Sequence, residues 1–279
     1  MRTTKHLETK DLSGRAVVIT GAGSGIGREL ALLCARRGAS LALCDINLAA
    51  VEATAEQARQ LGRDVLTAKV DVSSADEMAA FADSVLERFG APDLLVNNAG
   101  VGVFGGFLDT TLEDWKWLVS INLMGVVHGC TAFVPGMVER GQGHVVNVAS
   151  AAGLLANPSL SAYSATKFAV RGFSEALRME LKSLGIGVTA ICPGVINTPI
   201  TASSPIRGDG ADEVRKKIGD LYAKRGYTAE RVAVNILKAV DRNTGVAPIA
   251  AEAHLMYALA RFTPRVAAIV SAKLAAAAK

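Results

Sequence analysis

The chain has 279 residues, half of them apolar, with 27 glycines, few aromatics and a formal net charge of +4. That length can bury a sizeable core, and basic residues scattered as in Arg36, Arg37 and Arg215 to Lys217, without interleaved aromatics, argue against nucleic-acid binding. Cys34, Cys44, Cys130 and Cys192 fall singly in apolar stretches, which excludes a C-x-x-C metal or redox site and a secreted disulfide pattern.

Short apolar runs then alternate with longer amphipathic ones, the pattern of repeated βαβ units on a parallel sheet. The first strand, Val17 to Thr20, runs into Gly21-Ala22-Gly23-Ser24-Gly25-Ile26-Gly27 and a helix from Gly25 to Arg37. Glycines there permit a tight turn and let backbone amides approach a pyrophosphate, which the positive helix N-terminus also favours. The spacing is G-x-x-x-G-x-G, distinct from the G-x-G-x-x-G fingerprint. The second strand, Leu41 to Cys44, ends at Asp45, about twenty residues beyond the glycines, where an adenosine ribose is expected. A carboxylate at that point accepts from a 2'-hydroxyl and repels a 2'-phosphate, so NAD is expected over NADP. Asp45 also stands where it could cap the helix from Leu48 to Leu61.

The third strand, Val65 to Val70, precedes Asp71-Val72 and a helix from Ala75 to Phe89. The fourth, Leu94 to Val96, precedes Asn97-Asn98-Ala99-Gly100 and a long helix from Leu112 to Val138 that contains Asn122. The fifth, Val145 to Val148, leads to Ser150, and thirteen residues later Tyr163 opens the Tyr163-x-x-x-Lys167 spacing inside a helix from Leu160 to Leu184. One helical turn places Tyr163 and Lys167 on a common face. A free tyrosine has a pKa near ~10 and needs an adjacent positive charge to accept a proton at neutral pH. Lys167 supplies that charge, and the Ser150 hydroxyl offers a second hold on a substrate oxygen.

The sixth strand, Val188 to Ile191, is followed by Pro193-Gly194 and a segment over about 198–226 that reads as an inserted lid, with a charged helix from Ala211 to Lys224. A helix from Ala229 to Val240 and a strand from Val246 to Ile249 complete the sheet. The tail, about 251–279, is amphipathic and is interrupted by Pro264. It reads as a helix docked on the body or on a neighbouring subunit, with membrane-surface contact as the other reading. The fold class expected is α/β, a doubly wound Rossmann-type parallel sheet of about seven strands, in a single domain with a core over about 12–250. The polar segment from Met1 to His6 lacks the apolar region of a signal peptide, and no uninterrupted apolar run is expected to span a bilayer. The compartment expected is a reducing cytoplasm.

With Gly21, Gly25, Gly27, Asp45, Ser150, Tyr163 and Lys167 in order, the chain resembles the classical short-chain dehydrogenase/reductase family from about Leu12 to Ile249. The resemblance implies a catalytic set of Asn122, Ser150, Tyr163 and Lys167. Asn122 would anchor a water that relays protons to Lys167, and Lys167 would also bind the nicotinamide ribose. It further implies a cofactor surface of Gly21, Gly23, Ser24, Gly25, Ile26, Gly27, Asp45, Asp71, Val72, Asn98, Ala99, Gly100, Tyr163, Lys167, Pro193, Gly194, Val195 and Thr198. Within that set, Asp71 and Val72 would meet the adenine, and Val195 and Thr198 the nicotinamide carboxamide. A homodimer or homotetramer formed through the long helices is implied as well.

Ser150 and Tyr163, with the apolar Val101, Phe104, Phe107, Leu154, Leu155 and a lid starting near Ile200, are expected to line the substrate pocket. No arginine cluster there calls for an acidic substrate, and no ligand cluster calls for a metal. The expected reaction interconverts a lipophilic secondary alcohol and its ketone with NAD. A 3-oxoacyl thioester reductase is the alternative enzyme, and a non-catalytic dinucleotide-binding or scaffold protein the alternative of another class.

Overall fold

The computed structural model describes residues 7–208, 210–225 and 227–277. Seven strands, β1 (Ala16–Thr20), β2 (Ser40–Asp45), β3 (Val65–Lys69), β4 (Leu94–Asn97), β5 (Gly143–Val148), β6 (Ile186–Pro193) and β7 (Val246–Ile249), form one sheet in the order β3-β2-β1-β4-β5-β6-β7. Every pairing is parallel, with Ile19 opposite both Leu43 and Val96, and Val146 opposite Thr189. The order reverses between β1 and β4, and ligands of such sheets bind outside the strand C-termini at that point.

The strands are near-continuous apolar runs because helices cover both faces. Against one face lie α1 (Gly25–Arg36), α2 (Leu48–Gln60) and α9 (Ala229–Asp241), through Leu30, Cys34, Val51, Ala55, Ile236 and Val240. The other carries α3 (Ala75–Phe89), α5 (Gly125–Arg140) and α6 (Ser161–Leu181), through Met78, Phe81, Phe133, Met137, Val170 and Leu181. Local chemistry sets several helix starts. Asn47, Ser74 and Thr228 each accept a backbone N–H in the first turn of α2, α3 and α9. Thr111 and Asp114 form a reciprocal capping box on α4 (Leu112–Val119).

The long helix expected from Leu112 is divided: α4 passes through a π-turn at Ser120–Met124 before α5 begins. Leu112–Arg140 is long and apolar enough by composition to cross a membrane, although Asn122 and His128 interrupt its apolar run. Its apolar character is explained by burial of Val126, Cys130, Phe133, Val134 and Met137 in the core. Between β6 and α9 the chain forms α7 (Ile200–Ser203) and α8 (Ala211–Arg225). After β7 come α10 (Ala251–Phe262) and α11 (Pro264–Ala277), with Pro264 at the first position of α11, where its missing N–H has no helical partner to lose. Met1 to His6 and Lys279 lie outside the described residues.

Candidate active site

The C-terminal ends of the central strands open into a cavity of about 650 Å³. One end is built from the glycine turn. Gly21 and Gly25 have φ of +64° and +52°, in the left-handed region that side chains resist. Ser24 precedes α1 without capping it, and no acid stands in its first turn, so the helix N-terminus presents its amides and positive potential to the cavity. Asp45 lies beside this turn: its Oδ2 accepts from Gly23 N at 2.9 Å and its Oδ1 from Asn47 N at 2.9 Å. Its carboxylate also borders the cavity, as do Asp71 and Val72.

The floor is tied together by β1 and β4. Thr20 Oγ1 accepts from the amides of Asn98 and Ala99 at 3.0 Å each, and Asn98 Nδ2 donates to the carbonyls of Thr20 and Gly21 at 2.9 and 3.1 Å. Ser150 follows β5 and its Oγ accepts from Ala152 N at 3.1 Å, orienting the hydroxyl at the cavity wall. From α6, Tyr163 and Lys167 reach the same wall, with Lys167 Nζ 5.7 Å from the Tyr163 ring centroid. The ammonium donates to Val148 O at 3.0 Å. Lys167 is 4% exposed, and burial lowers its pKa from 10.5 to about 8, an effect that a nearby Cys192 thiolate would oppose.

Three of the four implied catalytic side chains, with a glycine turn and a strand-end carboxylate, therefore share one cavity at the sheet's crossover point. A model of the short chain dehydrogenase family matches residues 15–207. The chain belongs to this family. It is 44% identical over 255 residues to the probable oxidoreductase EphD of Mycobacterium tuberculosis, covering 89% of this chain and 43% of that protein. The chain thus spans less than half the length of that relative. The putative oxidoreductase SadH of the same organism is 36% identical over 252 residues, covering 89% of this chain and 90% of the relative. Among solved structures, a short-chain dehydrogenase/reductase from Burkholderia phymatum in complex with NAD superposes with a TM-score of 0.85 at 31% identity, covering 92% of this chain and 96% of that one.

Within this short-chain dehydrogenase, Gly21, Ser24, Gly25, Ile26, Asn98, Ala99, Gly100, Pro193, Gly194, Val195 and Thr198 all border the cavity. Other expected positions stand elsewhere. Gly23 and Gly27 lie behind the turn: a side chain on Gly23 would meet Asp45 Oδ2 at 2.9 Å, and one on Gly27 would meet Gly21 O at 2.2 Å. Their bareness admits the Asp45 carboxylate and packs α1 against the turn. Asn122, in the π-turn, is fully buried behind the wall. Its amide accepts from Val101 N and donates to Val101 O, both at 2.9 Å, and donates to Thr166 Oγ1 at 3.2 Å. The side chain thus braces the 100–101 segment against α6.

Of the expected substrate residues, Leu155, Val101, Phe104 and Ile200 reach the cavity. Leu154 does not; it is 1% exposed and packed in the core under the 3-10 turn at Ala151–Gly153. Phe107 is 69% exposed and also lies off the wall. The sequence reading missed Trp117 and Ile121 on the α4 side, Asn157 in the turn before α6, and Glu252 and Met256 on α10. The last two are one helical turn apart directly after the final strand, a spacing that could have signalled a face turned to the strand ends. Glu252 Oε1 accepts from Val195 N at 2.9 Å, so the amide expected to meet a carboxamide is engaged by the tail.

Burial raises the pKa of all four thiols, to about 12 for Cys34, Cys130 and Cys192. They are held as neutral core groups. The reactive face consists of the Ser150 and Tyr163 hydroxyls with the Lys167 ammonium behind them. This arrangement can hold one substrate oxygen and move one proton at it.

Proposed function

We propose that this oxidoreductase uses NAD(H) to interconvert a lipophilic secondary alcohol and its ketone. The observation that carries the reading is the convergence of Ser150, Tyr163 and Lys167 on the cavity whose other end holds the uncapped start of α1 and Asp45. Those residues fit a dinucleotide: backbone amides for a pyrophosphate, and a carboxylate for the ribose. Lys167 is the cation among the described cavity-wall residues, and it stands at the Tyr163 end, so nothing basic faces a 2'-phosphate beside Asp45. This supports NAD over NADP. When bound, the nicotinamide supplies the hydride acceptor or donor.

The chain's own residues supply the proton chemistry. In oxidation Tyr163 Oη takes the hydroxyl proton while Ser150 Oγ donates to the same oxygen; reduction reverses the transfer. Lys167 favours the phenolate by its charge and would also bind the nicotinamide ribose. Asn122 holds Val101 and Thr166, and Thr166 Oγ1 donates to Tyr163 O at 2.8 Å, which fixes the tyrosine's turn of α6. Val101, Phe104, Trp117, Ile121, Leu155 and Met256 make the substrate end predominantly apolar, and supply no cation for a carboxylate or phosphate.

Four buried neutral thiols suit a reducing compartment such as the cytoplasm. Exposed Trp117, Met124 and Phe168 on the α4–α5 and α6 surfaces suit a homodimer or homotetramer. The test is an NAD-linked activity screen over secondary alcohols of graded chain length and ring size. Tyr163→Phe should retain NAD binding and lose roughly 10²- to 10⁴-fold in turnover. Near-wild-type turnover in that variant refutes the mechanism, and a preference for NADPH with acyl thioesters points to the thioester reductase instead.

A further inference from the structure

The two tail helices have contrasting faces. On α10, Ala253 is fully buried and Met256 borders the cavity, while Arg171 stacks 5.9 Å from the Tyr257 ring centroid. Farther on, Ala267 of α11 is buried, and Ser271 Oγ donates to Ala156 O in the turn between Leu155 and Asn157, both cavity-wall residues. The tail is therefore fixed against the cavity mouth by its inner face. Its outer face carries Leu255, Phe262, Val266 and Ile269, which are 60%, 74%, 46% and 57% exposed. Leu255 and Phe262 stand seven residues apart on α10, and Val266 and Ile269 three apart on α11, so each helix contributes an exposed apolar stripe of its own.

Charge identifies the partner. Arg261, Arg265 and Lys273 flank the stripes and are exposed, whereas the acid of this segment, Glu252, is turned inward onto Val195 N. A twofold pairing of this face with a second copy would place the same patch against itself and set cation against cation. An anionic lipid surface satisfies both the apolar stripes and their cationic flanks. We propose that the outer face of α10 and α11 docks on an anionic membrane surface, seating the cavity mouth beside the bilayer from which an apolar substrate is drawn. The docking stands on the tail's geometry; its purpose rests on the lipophilic-substrate reading.

The test uses the full chain in co-sedimentation with phosphatidylglycerol–phosphatidylcholine vesicles and with phosphatidylcholine alone, alongside gel filtration. The wild type should pellet with the anionic vesicles. Each cation near such a surface is worth roughly a factor of five, so three should give on the order of a hundredfold weaker binding to the neutral vesicles. High salt should weaken the anionic binding. The double variant Phe262→Glu with Ile269→Glu, both at exposed positions, should remain in the supernatant. Arg261→Gln with Arg265→Gln should lose most of the preference for anionic lipid. Wild type left in solution with both vesicle types overturns the proposal, as does sedimentation of the Phe262→Glu, Ile269→Glu variant at wild-type affinity. A change of oligomeric state in that variant without any lipid binding assigns the face to a second copy and equally overturns it. Sedimentation reads no turnover, so its failure leaves the oxidoreductase reading intact, and Tyr163→Phe should pellet like the wild type.

Discussion

Replacing the buried lysine of the active site should stabilise the protein at neutral pH. Lys167 is almost fully enclosed, and burial holds its pKa at about 8 against an ordinary 10.5. Between those values the unfolded chain binds more protons than the folded one, so the destabilisation is complete below pH 8 and relaxes as pH rises toward 10.5. It amounts to about 3 kcal/mol at pH 7 and about 1 kcal/mol at pH 10. Lys167→Met keeps an unbranched chain of similar length but leaves Val148 O without its donor, a loss of about 1–2 kcal/mol. The variant should thus be more stable than wild type by about 1–2 kcal/mol at pH 7, and equal or slightly weaker at pH 10. Urea unfolding followed by the fluorescence of Trp115 and Trp117 at both pH values measures this, with turnover expected to collapse in parallel. A variant weaker than wild type at pH 7, or a difference independent of pH, refutes the reasoning.

Asp45→Ser keeps a hydroxyl acceptor near Gly23 N and Asn47 N and removes the charge; the NADPH-to-NADH ratio of kcat/KM should rise roughly tenfold or more. Gly27→Ala drives a methyl to 2.2 Å from Gly21 O, so thermal unfolding should show a loss of about 1–3 kcal/mol or more together with weaker NAD binding by calorimetry. Arg207 donates to Asp114 through Nε at 3.0 Å and Nη2 at 2.6 Å, joining the start of the lid to the α4 capping box and holding the Asp114 carboxyl below its ordinary 3.8. That latch is complete above the ordinary value and is lost as pH falls through the lowered one. Asp114→Asn at neutral pH should speed tryptic cleavage after Arg207 about fivefold or more. Glu252→Gln leaves an acceptor for Val195 N but removes a negative charge from the cavity, so titration should show NAD⁺ weakened relative to NADH about threefold to fivefold.

The alternation of apolar runs placed the strands most plainly at the centre of the sheet, where β1, β4 and β6 are buried throughout and have to be apolar on both sides; the edge strands β3 and β7 are only partly buried. The glycine turn, Asp45 and Ser150 were legible for a related reason: each lies at or just beyond a strand end, where the chain leaves the core and polar residues serve turns or chemistry; Tyr163 and Lys167, inside α6, were legible by their one-turn spacing. Residues joined by tertiary contact were not legible. Nothing local distinguishes Leu154 from Leu155, yet the 3-10 turn after Ser150 sends the first into the core and the second to the cavity. The π-turn at Asn122 interrupts a periodicity that reads as unbroken helix. Trp117 and Met256 reach the cavity through helix placement, which the chain order does not encode.

Electrostatics link the two ends of this cavity. Its wall carries the carboxylates of Asp45, Asp71 and Glu252 against the ammonium of Lys167. Side-chain charge therefore gives a pyrophosphate no net attraction, and the affinity has to come from backbone amides at the start of α1, whose first turn is free of acids and of side-chain caps. In the proposed dinucleotide site, amides held by the glycine turn would select by geometry rather than charge, and Asp45 would discriminate at the ribose. That division leaves the buried ammonium uncommitted to phosphate, so its field can act on the Tyr163 ring beside it. Burial that makes Lys167 a cost to the fold at neutral pH is thus the same burial that lets its charge act on the phenol with little screening.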